Sequence, residues 1–70
     1  MKDFERALDR IRKKLIKARH DKGLSQKELG ELIGKPQSTI GRFENGSTKD
    51  PSFSFLYAYC KALNIKELIL

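Results

Sequence analysis

Apolar side chains recur at helical intervals in four stretches of this chain, and clusters of turn-forming residues separate them. Phe4, Leu8, Ile11, Leu15 and Ala18 fall at spacings of four and three, which predicts an amphipathic helix from Phe4 to about Asp21 with Asp3 as its cap. Lys22 and Gly23 close it, Gly23 standing where a left-handed residue is wanted, and His20 reads as a solvated side chain near the helix end. A second helix starts at Ser25. Its hydroxyl can cap the backbone, Glu28 can reach back to complete a capping box, and Leu24 can staple against Leu29. Leu29, Leu32 and Ile33 form its apolar face, and Gly34 ends it. Pro36 then offers the fixed φ of a helix entrance. Gln37 to Glu44 follow with only Ile40 and Phe43 clearly apolar, so the third helix buries one narrow edge and shows Gln37, Ser38, Thr39 and Arg42 to solvent.

The segment from Asn45 to Ser52 is a loop by composition. Beyond it, Phe53, Leu56, Cys60 and Leu63 repeat at three, four and three, predicting a fourth helix from Phe53 to Leu63 that Ser52 caps and Asn64 stops. Cys60 sits inside that stripe and reads as a small core residue, whereas Phe55, Tyr57 and Tyr59 lie off it and read as lateral packing or a self-association surface. The tail after Ile65 carries Leu68 to Leu70, a lid for Phe4 and Leu8 or a partner surface. The predicted class is all-α, a single domain over residues 1–70.

Gly30 stands inside the second helix, where glycine costs about 1 kcal/mol relative to alanine, so its small size is expected to let the third helix cross close by. A short helix, a sharp turn and a polar, exposed following helix are the geometry of a helix-turn-helix, here at about residues 25–45.

Charge adds a second feature. The formal net charge of +6 is concentrated in residues 10–22, where Arg10, Arg12, Lys13, Lys14, Lys17, Arg19 and Lys22 face only Asp21. A basic block is often a plain solvated helix face, but beside a candidate reading helix it predicts a phosphate-facing surface, with Lys13 and Lys17 as contacts. Other classes find little support. No run of about 18 apolar residues offers a membrane span, and the start lacks the apolar segment of a signal peptide, so a cytoplasmic protein is expected. One cysteine and one histidine allow neither an internal disulfide nor a metal cluster. With no catalytic constellation, no enzyme activity and no cofactor are expected.

The run GLSQKELGELIG, then PQSTIGRFENG, then Pro51 and KALNI, resembles the Cro/repressor-type (lambda-repressor-like, XRE) helix-turn-helix family over about residues 11–65. The resemblance implies a compact domain of four to five helices and a regulator that binds double-stranded DNA. Gln37, Ser38 and Arg42 match the family's base-reading positions. Arg42 is suited to a bidentate contact with guanine and Gln37 to adenine, while Ser38 is too short to discriminate strongly. Thr39 suits a phosphate or a thymine methyl, and Gln26, with the free N–H groups of its helix end, suits a phosphate. The loop after the reading helix lies on the sugar-phosphate backbone in this family, which implies such contacts for Asn45, Ser47, Thr48 and Lys49. The matching arginine and glutamate commonly pair, which implies an Arg19–Glu44 ion pair holding the first helix to the third. Relatives often have serine or threonine where Pro36 stands, so a side-chain cap is lost here.

The leading reading is a repressor that occupies a palindromic operator as a homodimer, with half-sites about 34 Å apart. The alternative is the antitoxin of a toxin–antitoxin pair, binding a toxin and its own promoter.

Overall fold

The computed structural model describes residues 2–65, which form four helices: α1 (Lys2–Asp21), α2 (Gln26–Ile33), α3 (Gln37–Glu44) and α4 (Phe53–Ala62). The tail after Ile65, with Leu68 to Leu70 as a lid for Phe4 and Leu8 or a partner surface, lies outside the described residues. Local chemistry sets most helix ends. The Ser25 hydroxyl accepts the Glu28 N–H at 3.0 Å and the Glu28 carboxylate accepts the Ser25 N–H at 2.8 Å, so the capping box is complete. These bonds, the backbone one first, hold the Glu28 carboxyl below the usual range. Gly34 ends α2 at φ +71°, Gly23 follows α1 at φ +71°, and Asn64 follows α4 at φ +59°, the left-handed residues that stop a helix cheaply. Pro36 enters α3 at φ −67° without a side-chain bond to the helix.

Leu8, Leu15, Leu29, Ile40, Phe43, Phe55, Tyr59, Cys60 and Leu63 form one buried core, with Ile11, Ala18, Leu24 and Ile33 packed at its edge. Phe43, Phe55 and Tyr59 are its aromatic centre: their ring centroids lie 5.3, 5.6 and 6.1 Å apart in edge-on and tilted arrangements.

Several expectations are corrected. α1 begins by Lys2, so Asp3 lies in the first turn and does not cap it, and Phe4 is 43% exposed, off the core face. Leu32 is 62% exposed because α2 turns Leu29 and Gly30 inward, rotating the buried arc away from it. In α4 the inward face is Phe55, Tyr59, Cys60 and Leu63, and Phe53, expected in the core, is 68% exposed. Phe55 and Tyr59 are therefore core residues, and only Phe53 and Tyr57 form an exposed aromatic pair. α4 also stops at Ala62, with Leu63 as its C-cap. Gly30 does admit a close approach, but by the turn rather than by α3 itself. A Cβ there would stand 2.4 Å from the Lys35 carbonyl oxygen.

Candidate nucleic-acid interface

α3 shows its polar side to solvent because Ile40 and Phe43 account for its buried edge, and Gln37, Ser38 and Arg42 are all exposed. Ser38 and Arg42 are one turn apart on the same face. An open depression of about 530 Å³ is lined by Gln26, Gln37, Ser38, Gly41, Arg42 and Asn45. It thus gathers the three predicted base-reading residues with two of the predicted backbone contacts. Gly41 keeps it open: a Cβ there would stand 3.3 Å from the Gln26 side-chain oxygen.

The remaining predicted contacts are distributed around this depression. Thr39 and Thr48 share a smaller recess with Lys35 and Ser52. Lys49 lines a separate groove beside Glu5 and Asp9. Asn45 also shapes the loop, its Oδ1 accepting the Ser47 N–H at 2.9 Å, which leaves its amide NH₂ outward-facing chemistry to offer. Lys13 and Lys17 lie on α1 in exposed pairs, Lys13 with Asp9 of that groove at 3.1 Å and Lys17 with Asp21 at 3.0 Å. Such pairs are worth at most about 0.5 kcal/mol and exchange readily for a phosphate. Two members of the basic block are turned inward instead: the side chains of Arg12 and Arg19 are 12% and 7% exposed.

Behind the reading face, all four helices converge on one carboxylate. Arg19 donates from Nε and Nη2 to the two oxygens of Glu44, each at 2.8 Å, in a bidentate fork. Gln26 donates to Glu44 Oε1 at 3.0 Å and the Tyr59 hydroxyl donates to Oε2. Arg19 Nη1 is used as well, donating to the Leu24 carbonyl at 2.7 Å. Among the described residues no buried side-chain polar atom lacks a partner. α3 is therefore tied to α1, α2 and α4 through its last residue, two positions beyond Arg42. Sequence reasoning does not reach the bonds of Tyr59 and Gln26 in this cluster. Tyr59 carried one readable signal, a phenol that must find a partner if its helix is buried.

The charges of this cluster make stability depend on pH at both ends. Burial works against the Glu44 carboxylate, but bonds from Arg19, Tyr59 and Gln26 and the charge of Arg19 outweigh it, so its pKa is lowered. Arg19 is raised, chiefly by its bond to Glu44. A carboxyl depressed in the fold adds stability above its unfolded value, near about 4.3, and loses it as pH falls through the folded value. Burial, then Glu44, pushes the Tyr59 phenol upward. The unfolded chain ionises that phenol near about pH 10 while the folded chain does not, so stability also falls as pH rises beyond it. Urea unfolding across pH is expected to show a shallower acid limb in Glu44→Gln and a shallower alkaline limb in Tyr59→Phe. Limbs parallel to those of the unmodified protein would remove both groups from the linkage.

A short helix, a glycine turn and a polar helix anchored from behind define a helix-turn-helix protein. A family model described as helix-turn-helix matches residues 15–70, and the chain belongs to this family, of the Cro/C1 (XRE) type, with a lambda-repressor-like all-α fold. It is accordingly a DNA-binding regulator by family, a class that is not typically enzymatic. No curated protein and no solved structure matches the chain. Among the described residues no helix is long and apolar enough to cross a membrane.

Proposed function

We propose that this protein is a sequence-specific repressor of the cytoplasm that occupies a palindromic operator as a homodimer. The observation that carries the reading is the depression on α3, where Gln37, Ser38 and Arg42 are exposed side by side with Gln26 and Asn45 at its rim. A major groove presents donors and acceptors at base edges, and these are side chains that match them. Arg42 takes a guanine, Gln37 an adenine, and Ser38 a less selective contact. Gln26, Thr39, Asn45, Ser47, Thr48 and Lys49 hold phosphates around them, while Lys13 and Lys17 add longer-range attraction.

Selection of bound duplexes from a random pool tests the reading. A palindrome with half-sites about one helical turn apart is expected. No enrichment would remove sequence-specific binding, and a single unpaired half-site would remove the homodimer. In the same assay Arg42→Ala is expected to cost about 1–3 kcal/mol at one base pair and to relax preference there. An equal loss on every sequence would make Arg42 a phosphate clamp. Lys13→Ala and Lys17→Ala are expected to flatten the salt dependence without altering the selected motif.

A further inference from the structure

We infer that Arg12 is a positioning residue, which ties the exit of the reading helix to α1 and does not meet a phosphate as its basic neighbours do. The inference rests on the DNA-reading role proposed for α3, but the tie itself belongs to the free protein. Arg12 and Phe43 are far apart in sequence, yet Arg12 Nε donates to the Phe43 carbonyl at 2.8 Å. Its guanidinium carbon lies 5.7 Å from the centre of the Phe43 ring, and Nη1 donates to Asp9 at 3.3 Å. Only 12% of the side chain is exposed, against 75% for Lys13 and 77% for Lys17. A cation so enclosed has exchanged water for three partners and is not available to DNA.

The position of the bond gives it its effect. The last carbonyls of a helix lack partners within the helix. In α3, Gly41 and Arg42 find theirs in the loop, from the N–H groups of Asn45 and Ser47, both at 2.9 Å. Phe43 receives a longer bond from Gly46 at 3.3 Å, so the short bond to its oxygen comes from Arg12. A cation there also suits the negative end of the helix dipole. The tie thus fixes the point where α3 becomes the loop that carries Asn45, Ser47, Thr48 and Lys49. It is a second anchor for the reading helix, independent of Glu44. Arginine is required because one planar group points Nε at α3 and Nη1 at α1 while covering a ring, which a single ammonium cannot do.

Two variants test this, Arg12→Lys, which keeps the charge, and Arg12→Met, which keeps the apolar stem. In the free protein, amide hydrogen exchange at Asn45, Gly46 and Ser47 is expected to accelerate about tenfold in both, with α2 unchanged. Affinity for the selected duplex is expected to fall about tenfold in both, with the slope of log affinity against log salt unchanged and no rescue by lysine. Unchanged exchange at these three amides overturns the tie whatever the DNA result. Full affinity in Arg12→Lys, or a slope reduced by about one in Arg12→Met, overturns the positioning role and makes Arg12 a phosphate contact. If the unmodified protein selects no DNA, the DNA-reading role fails, and the exchange experiment still decides the tie.

Discussion

Arg19→Ala is expected to destabilise the protein by about 3–5 kcal/mol, enough to leave a domain of this size largely unfolded at room temperature. The magnitude follows from what remains behind. Glu44, whose side chain is 6% exposed, keeps its charge while losing the bidentate fork that offsets its burial. Gln26 and Tyr59 still donate to it, but neither carries charge. Glu44→Ala is expected to match this loss, because it leaves the buried guanidinium without its charged partner, beside the Leu24 carbonyl, the His20 ring and the Tyr59 hydroxyl. The pair itself is a weak source of net stability compared with apolar packing, since desolvation offsets most of its attraction. The double variant Arg19→Met/Glu44→Leu therefore regains much of what either alanine loses, though the orphaned Tyr59 hydroxyl and Gln26 amide hold it below the unmodified protein. Thermal unfolding reads all three. A small domain shifts by about 4–8 °C per kcal/mol, so Arg19→Ala melting within a few degrees of the unmodified protein would show that the cluster orients α3 without stabilising it.

The convergence on Glu44 was legible only in part: the resemblance implied its pair with Arg19, and no signal in local sequence directs the bonds of Gln26 and Tyr59 to it. Features that depend on neighbouring residues were legible: the capping box at Ser25 and Glu28, the left-handed stops at Gly23, Gly34 and Asn64, and the polar face of α3. Each is decided by contacts within about four positions of the chain. The face of α4 was not legible, because apolar residues occupy nearly all of it and periodicity cannot choose between two overlapping stripes. A carboxylate on α3 decides the matter, since Tyr59 must turn inward for its hydroxyl to reach Glu44. The basic block misled in a similar way. Of its seven cations the resemblance set only Arg19 apart, as the partner of Glu44, and nothing in the sequence marks Arg12, which is spent on Phe43, so the charge offered to solvent is smaller than the count implies. Arginine, with a fork able to satisfy a buried carbonyl or carboxylate, is the residue type in such a block to suspect of an inward role. The division within the fold is correspondingly sharper: α3 exposes Gln37, Ser38 and Arg42, and α1 holds it in place through Arg12 and Arg19.

Gly30→Val is expected to cost about 3 kcal/mol and to weaken DNA binding even at temperatures where the variant is folded. The first methyl-sized atom, Cβ, would stand 2.4 Å from the Lys35 carbonyl oxygen and 3.5 Å from the carbonyl carbons of Lys35 and Pro36. These are backbone atoms, so no side chain can rotate away. Nor is the turn free to yield. The Lys35 N–H is bonded to the Gly30 carbonyl at 2.8 Å, Gly34 is held at φ +71° and Pro36 at φ −67°. Relief requires lifting Lys35 and Pro36 together, and with them the first turn of α3, where Gln37 and Ser38 sit. Valine gains little helix propensity over glycine, so the steric loss is read almost undiminished. Gly30→Ala meets the same oxygen but recovers about 1 kcal/mol of propensity, and its net loss is expected to be smaller. Gly23→Ala separates strain from collision: open space surrounds its Cβ, yet φ +71° penalises the side chain by about 1–2 kcal/mol. Since Gly23 lies outside the motif, that loss is expected to leave DNA affinity of the folded protein intact. Equal affinity in Gly30→Val and Gly23→Ala, measured where both are folded, would show that the turn relaxes without moving α3, and that Gly30 serves the packing of the fold but not the setting of the reading helix.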